Sequence, residues 1–270
     1  MIKDITIGQF FPKDSIVHEL DPRVKILLVI CFVVVLFMLT NILTLILTMC
    51  FILISYKLAK IPLKLILKSI KPLLFIIIFT SVINMFFTKG NIIFNFWKFS
   101  ISKEGVFLAI VLIIRVVNMV AVSALLTYTT SPIELTYALE KLMKPLKFFK
   151  IPVNDIAMMM TISLRFVPTL IQETDKIMLA QKARGAKIDT GNIFQRVKSF
   201  IPVIIPLFIS AFRAAEELAV AMECRCYNGG KGKTSMKQLN LHKNDVIISS
   251  LIFVFFVLLF IIDKFEKILF

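Results

Sequence analysis

The sequence predicts an all-α integral membrane protein with about five transmembrane helices and a cytoplasmic coupling domain of long helices. Hydrophobic residues make up 58% of the 270 residues, and the mean hydropathy is +0.88. Soluble domains contain roughly 45–50% apolar residues. The apolar residues form solid runs, whereas a membrane β-barrel would show ~10-residue alternating segments. One long stretch, residues 129–245, is more polar than the rest.

The net charge of +15 agrees with this class. Much of the basic charge flanks apolar runs, which is where cytoplasmic loops of membrane proteins carry Lys and Arg. We therefore expect the partner of this charge to be the lipid bilayer and not nucleic acid. The four cysteines are split between apolar and polar segments and do not indicate a disulfide framework.

The first apolar run, residues 26–54, predicts two short helices. A single helix of this length would measure ~44 Å, which is too long for a hydrocarbon core of ~30 Å without a large tilt. Basic residues precede and follow the run, and both flanks favour the cytoplasmic side. An even number of crossings is required, so we place a turn near Thr40 and Asn41.

The segment that follows is a basic amphipathic stretch. Its lysines recur at spacings of three and four, with apolar residues between them: Lys57, Lys60, Lys64, Lys68 and Lys71. This pattern is typical of a segment that lies along the cytoplasmic membrane interface. Contact with lipid headgroups and contact with a specific partner are both compatible with it.

Three further spans are predicted at residues 72–87, 105–128 and 246–262. Residues 88–104 between them form an external loop, in which Trp97 is a candidate interfacial anchor. Counting crossings from a cytoplasmic N-terminus places the C-terminus outside. The predicted domains are a membrane part (1–128), a cytoplasmic coupling domain with three helices (129–245) and a final span with a short external tail (246–270).

The predicted coupling domain begins with a clear helix start. Ser131 is an N-cap followed by proline, and that helix ends near residue 144. A second helix extends from residue 151 to Arg184 with Pro168 inside it, and a third runs from about residue 199 to 227. Aligning Arg184 with Arg225, an offset of 41, matches several residues of the two long helices, which is a weak internal repeat.

Arg184 and Arg225 are the strongest candidate binding residues. Each lies at a predicted helix C-terminus, where unsatisfied carbonyls favour a cation, so simple capping is one interpretation. Docking to a partner is the other, because guanidinium is a planar fork of five donors. Small neighbours would let each arginine enter a groove: Ala183, Gly185, Cys224 and Cys226. Interhelical ion pairs are expected for Arg165 and Arg213.

No catalytic centre is predicted. The two histidines lack further ligands at metal spacing, and no nucleotide-binding or nucleophile motif is present. Cys224 and Cys226 alone do not make a zinc site. We therefore expect no cofactor, no metal and no enzyme activity, with any ATP hydrolysis on another subunit. Arg115 lies inside an apolar span, so it should face protein or water near Asn84 or Asn118. It has either a structural hydrogen-bonding role or a role in a transport path.

Several segments together carry a family resemblance: Asp14 through Lys25, Thr129 through Leu135, Leu164 through Pro168, Ala180 through Gly185, and Arg213 through Ala219. With them, the chain resembles the transmembrane T component (EcfT) of energy-coupling factor vitamin transporters over nearly its whole length. The resemblance implies a multi-pass protein of a prokaryotic cell membrane. It also implies a non-catalytic subunit of an ABC-type importer for vitamins or other micronutrients.

The resemblance further implies the partners. These are two cytoplasmic ABC-type ATPases, identical or non-identical, and one or more small membrane S components that bind the substrate. Each long helix would end in an X-Arg-X motif for one ATPase, here Ala183-Arg184-Gly185 and Cys224-Arg225-Cys226. The second motif departs from the commoner Ala-Arg-Gly form, and cysteine at 226 could change that helix end.

Two other classes of protein remain open from the sequence. One is a conventional ABC permease that lines the substrate path itself, and the other is a membrane scaffold unrelated to transport. A permease would normally present one cytoplasmic coupling loop per half. Two arginine-ended long helices in one domain therefore favour the coupling subunit.

Overall fold

The computed structural model describes residues 10–88, 92–96, 99–186, 193–227 and 241–269. It confirms an all-α membrane protein, with one small β-hairpin as the exception. The chain divides into two compact units. The first, here called the apolar unit, contains residues 8–141 and 239–270. The second, the α8–α9 unit, is formed mainly by residues 142–238.

The apolar unit begins with a short helix and two apolar helices. These are α1 (Ile16–Glu19), α2 (Pro22–Met38) and α3 (Ile42–Leu58). Asp21 caps α2 by accepting a hydrogen bond from the Arg23 amide, and proline occupies the first helical position. The break between α2 and α3 confirms the predicted turn near Thr40 and Asn41. Each helix has 17 residues, or about 25 Å.

The turn between α2 and α3 depends on a carboxylate from the far end of the chain. Asp263 Oδ1 accepts hydrogen bonds from the amides of Thr40 and Asn41, each at 3.1 Å, and from the Thr44 hydroxyl at 3.1 Å. Asp263 is buried, and so is Thr44. The amides at the start of α3 therefore obtain the acceptor that the helix itself does not supply.

The basic stretch divides into two pieces. Lys57 lies in the last turn of α3, and Lys60 turns the chain in a left-handed conformation with φ 54°. Then follow α4 (Lys64–Ile70), a 3₁₀ turn (Lys71–Leu73) and α5 (Leu74–Phe87). All five lysines of the stretch are exposed, while Ile61 and Ile66 between them are buried. The chain therefore keeps the predicted basic and apolar faces across the break.

By length and composition alone, three helices in the described part of the chain could cross a membrane: Lys64–Phe87, Lys103–Thr129 and Lys243–Phe265. The helix α3 is apolar but shorter. The first of these helices begins eight residues before the predicted span at residue 72. The reason is that α4, the 3₁₀ turn and α5 follow one another without a gap.

A hairpin replaces the predicted loop after α5. Its strands are β1 (Ile92–Phe96) and β2 (Phe99–Ser102), paired antiparallel. Trp97, the predicted anchor, lies outside the described residues. Ser102 then caps α6 (Lys103–Thr129) by accepting from the Gly105 amide at 3.0 Å. A Cβ at Gly105 would lie 2.9 Å from the Met85 carbonyl oxygen, so α6 and α5 approach closely because this residue is glycine.

The last helix of the apolar unit, α10 (Lys243–Leu269), carries a buried aspartate near each end of its apolar run. Asp245 accepts hydrogen bonds from the Asp21 amide at 3.1 Å and the His242 amide at 2.8 Å. Asp263 closes the turn described above. The two aspartates are 18 positions apart, which corresponds to roughly 27 Å of helix, close to the thickness of a hydrocarbon core.

Lys25 completes the polar cluster at the Asp245 end. Its ammonium donates to the carbonyls of His18, at 2.9 Å, and Thr129, at 3.2 Å. His18 Nε2 donates to the Phe11 carbonyl, so in the neutral ring Nδ1 accepts from the Ser15 hydroxyl at 2.7 Å. Burial lowers the pKa of His18 and favours this neutral form. The start of α2 and the end of α6 are thus joined by hydrogen bonds.

Between the two polar ends, the apolar unit has an aromatic and aliphatic core. The rings of Phe32 and Phe256 lie 5.6 Å apart, and those of Phe51 and Phe255 lie 4.7 Å apart. The buried Tyr56 hydroxyl donates to the Ala121 carbonyl at 2.9 Å. The core therefore joins α2, α3, α6 and α10.

Of the remaining helices, the first belongs almost entirely to the apolar unit, and the two long ones belong to the α8–α9 unit. The helix α7 (Pro132–Leu142) starts at the predicted Ser131 cap, which accepts from the Glu134 amide. A 3₁₀ segment (Lys144–Phe149) leads to α8 (Val153–Ala183) and then α9 (Ile193–Cys224). Helix α9 was predicted to start near Ser199, which was wrong by about six residues.

Two prolines explain the error in the start of α9. Pro202 and Pro206 were assigned to its first turns, but they lie inside the helix. Each removes one amide donor, and their spacing of four residues puts both on one face. The hydrogen-bond ladder along the other face continues past them. Pro168 lies inside α8, as predicted.

We predict that Asp263→Ala destabilises the apolar unit by about 2 kcal/mol, because two partly buried amides and one buried hydroxyl lose their acceptor. Thermal unfolding of the purified protein in detergent should show a midpoint lower by roughly 5 °C. The neighbouring Lys264 is exposed, so Lys264→Ala is the matched control and should change little. Equal midpoints for the two variants would contradict the role of Asp263.

Candidate functional site

The C-terminus of α8 is closed by main-chain hydrogen bonds in a Schellman motif. The Ala186 amide donates to the Gln181 carbonyl at 3.0 Å, and the Gly185 amide donates to the Lys182 carbonyl at 3.0 Å. Gly185 has φ +86°, the left-handed conformation that this motif requires after the last helical residue. Arg184 is therefore the C-cap residue. Residues 181–186 are called the α8 end below.

The C-terminus of α9 has the same motif in the same register. The Tyr227 amide donates to the Met222 carbonyl at 3.0 Å, and the Cys226 amide donates to the Glu223 carbonyl at 2.8 Å. Cys226 takes the position of Gly185, with φ +60°. Residues 222–227 are called the α9 end. The altered geometry considered for the Cys-Arg-Cys form is not found, and the offset of 41 matches the two ends bond for bond.

Both arginines are exposed at these ends. Arg184 and Arg225 follow immediately after the last helical residues, Ala183 and Cys224, which are also exposed. Within the described part of the chain, neither guanidinium has a carboxylate at ion-pair distance. The main chain, and not the arginine side chain, satisfies the helix-end carbonyls of Gln181, Lys182, Met222 and Glu223. Main-chain closure leaves each guanidinium available for another acceptor.

The two ends lie in different surroundings. A groove of about 430 Å³ between α8 and α9 is lined by Arg225, by Thr169 and by other residues of the two helices. Arg184 follows Thr169 by fifteen residues, or roughly 22 Å along α8. The arginines are thus presented at separate places, one of them beside a groove.

The ion pairs expected for Arg165 and Arg213 are not formed among the described residues. In α8, Glu173 pairs with Lys176 of the same helix, at 3.7 Å. Arg165 and Arg213 are exposed, which explains why burial does not force them into pairs. Arg165 instead lines the same groove as Arg225.

Arg115 of α6 hydrogen-bonds the end of another helix. Its Nη2 donates to the carbonyl of Leu39, the residue that ends α2. Asn84 and Asn118 were the expected neighbours. Asn118 hydrogen-bonds α3 and not Arg115. Its Nδ2 donates to the Leu45 carbonyl at 3.0 Å and to the Thr48 hydroxyl at 2.9 Å.

Sequence reasoning did not single out Asp263 or Asp245. A signal was present, because the two aspartates bracket a 17-residue run without a charged residue. What the run did not reveal was their partners, the amides of Thr40, Asn41 and Asp21, which lie more than 200 positions away.

The described residues contain no group of three or more His, Cys, Asp or Glu side chains that could hold a metal ion. All four cysteines are free, and Cys224 and Cys226 are exposed. Each of the α8 and α9 ends presents an exposed guanidinium group, which can bind an acceptor.

The fold and these ends define a class: a helical membrane protein with two arginine-ended helices. A family model described as Cobalt transport protein (CbiQ) matches residues 13–236. An energy-coupling factor transporter transmembrane protein EcfT from Ruminiclostridium cellulolyticum is 49% identical over 255 residues, or 94% of this chain and 96% of its own length. The EcfT protein of Bacillus subtilis is 42% identical over 240 residues, or 88% and 91%.

The chain therefore belongs to the CbiQ family, together with the energy-coupling factor transporter transmembrane proteins. It is a transmembrane transport protein. The resemblance drawn from the sequence is confirmed at this level.

We predict opposite effects for two substitutions at the left-handed positions. Gly185→Ala should loosen the α8 end and Cys226→Gly should tighten the α9 end, each by about 1 kcal/mol, because only glycine adopts positive φ without steric cost. A Cβ at residue 185 would meet no atom within 4 Å, so its effect comes from the backbone alone.

Hydrogen exchange of the peptides spanning residues 181–186 and 222–227 measures this. A change of 1 kcal/mol corresponds to roughly fivefold in the exchange of amides that open locally. Cys224→Ala is the control, because Cys224 lies two residues before Cys226 and is still helical. This substitution should leave exchange unchanged. Unaltered exchange in both glycine variants would contradict the assigned geometry.

Proposed function

We propose that this chain is the non-catalytic coupling subunit of an ECF-type importer. It links two cytoplasmic ABC-type ATPases to a small membrane S component that binds a vitamin or another micronutrient. The observation that carries the proposal is the pair of matching α8 and α9 ends, each with an exposed arginine as C-cap. Two similar helix ends fit two similar binding sites, one on each ATPase.

In this proposal, Ala183, Arg184 and Gly185 dock on one ATPase, and Cys224, Arg225 and Cys226 dock on the other. Guanidinium presents its donors in a planar fork that fits carboxylate and carbonyl acceptors. The exposed position of both arginines supports separate contacts, and so does the roughly 22 Å along α8 from Arg184 back to Thr169, which lines the same groove as Arg225. Lys182 precedes one arginine and Glu223 the other, which favours two non-identical ATPases.

An apolar face of α9 supports the S component as the third partner. Its residues follow helical spacing and are 47%, 54%, 60% and 72% exposed, in the order Ile201, Ile205, Phe208 and Phe212. Large exposed apolar patches mark sites of protein or membrane contact. A small membrane subunit would cover this face with apolar side chains, while Arg225 at the C-terminal end of α9 remains available to an ATPase.

The proposed topology has five spans, with a cytoplasmic N-terminus and coupling domain (129–245) between a membrane part (1–128) and a final segment (246–270). The short helices α2 and α3 form the first two spans. The exposed lysines after α3 favour the cytoplasmic side, where they would contact lipid headgroups. The C-terminus is then external.

We assign Arg115 a structural role in this topology. It donates to the Leu39 carbonyl at the same break that Asp263 closes, so the polar groups of the break are satisfied by α6 and α10. Backbone groups inside a bilayer need protein partners because water is absent.

Exchanging both docking arginines for glutamate should remove the ATPases. We predict that Arg184→Glu with Arg225→Glu abolishes their co-purification, because each socket would meet a like charge, while the protein still inserts in the membrane. The measurement is the recovery of ATPase subunits with the affinity-purified chain. Stoichiometric recovery of both would disprove the docking role.

Two variants on α9 serve as controls for this experiment. Arg213→Glu makes the same exchange at an exposed arginine away from the α9 end and should retain both ATPases. Phe208→Glu alters the apolar face and should release the S component while retaining the ATPases. Loss of the same partners in all variants would point to general disruption instead of docking.

The topology is tested by thiol labelling from the outside of intact cells. In a variant without the four native cysteines, Asn95→Cys should react and Lys64→Cys should not. With the native cysteines present, exposed Cys224 and Cys226 should react only after the membrane is made permeable. Reversed labelling of the two introduced cysteines would overturn the orientation.

A further inference from the structure

A second arginine, Arg165, lines the groove between α8 and α9 together with Arg225. Each side of the groove is one face of a helix, on which the lining residues recur every three or four positions. The argument below uses Arg165, Phe166 and Thr169 of α8 and Leu218, Met222 and Arg225 of α9. The residues that line the groove are apolar except for the two arginines and Thr169.

The charge of this groove is unbalanced. Both arginines are exposed, and no carboxylate side chain is among the described residues that line it. Glu223 is two positions from Arg225 on the helix, so it points away from the same face. The two positive charges repel each other. An anion bound between them would be attracted by both arginines, and this attraction would offset their repulsion.

We infer that Arg165 and Arg225 together bind one carboxylate of the ATPase that docks at the α9 end. A carboxylate has two oxygens and about four lone-pair sites, enough to accept from both guanidinium groups at once. The Thr169 hydroxyl is a further donor in the same groove. The volume of about 430 Å³ admits the acidic side chain together with part of its loop.

This inference rests on the proposed docking and makes it more specific. It gives the α9 end a second recognising residue on the neighbouring helix, whereas the α8 end is 15 residues beyond Thr169 on the same helix as Arg165. The acidic residue is therefore expected in the ATPase bound by α9. The contact would also join α8 and α9 through the partner, so the ATPase would hold both helices at this point.

The test is the affinity of the ATPase pair for the chain, with its S component, in lipid nanodiscs. Arg165→Ala and Arg225→Ala should each weaken binding at least tenfold, as expected for loss of a hydrogen bond to a charged group. The double variant should weaken binding by much less than the product of the two, because both arginines share one acceptor. Arg165→Lys should lie between alanine and the natural residue.

Arg213→Ala is the matched control, since Arg213 is an exposed arginine of α9 outside this groove. If Arg225→Ala weakens binding and Arg165→Ala equals the control, the inference is wrong while docking stands. Independent effects that multiply would also overturn the shared carboxylate. If neither arginine matters, the proposed docking at the α9 end fails as well.

A photocrosslinker at residue 165 identifies the partner directly. Crosslinking to an ATPase subunit, at or next to an acidic residue, is the expected result. Crosslinking only to the S component or to lipid would overturn the inference and leave the docking of Arg225 itself intact.

Discussion

Backbone groups at helix ends need hydrogen-bond partners, and this requirement governs both compact units of the protein. In the apolar unit the partners are charged side chains from distant helices, since water is absent from a bilayer. Asp263 of α10 accepts from the amides just before α3, Arg115 of α6 donates to the end of α2, and Asp245 of α10 accepts from the Asp21 amide just before α2. In the α8–α9 unit the main chain satisfies itself through Schellman bonds, and the arginines remain unused.

This difference separates structural charges from charges available for binding. Lys25 donates to two carbonyls and is buried, so its charge joins helices of the apolar unit. Arg184 and Arg225 are exposed beside carbonyls that already have donors. In the proposed function, motion of the ATPases would enter the chain at these residues. Because each arginine follows directly on a helix of more than 30 residues, that motion would act on a stiff element.

The sequence predicted the helices well where pattern and charge agreed, as at the turn near Thr40 and at the Ser131 cap. The family was predicted correctly from several motifs together. The start of α9 was predicted wrongly. Proline is most common in the first turn of a helix, and this preference does not show whether the remaining hydrogen bonds can hold a helix that contains two prolines. The Asp263 contacts and the nearness of Arg165 to Arg225 depend on tertiary placement, which spacing along one chain does not contain.

Cysteine at position 226 has one more consequence. A helix end that is closed by its own amides requires a left-handed backbone angle at one position, which glycine adopts freely and cysteine adopts at a steric cost of about 1 kcal/mol. The residues beside each arginine can therefore differ between the two ends. Arg184 has alanine and glycine as neighbours, whereas Arg225 has two cysteines. In the proposed function, one coupling subunit would thus contact two different ATPase surfaces with the same helix-end geometry.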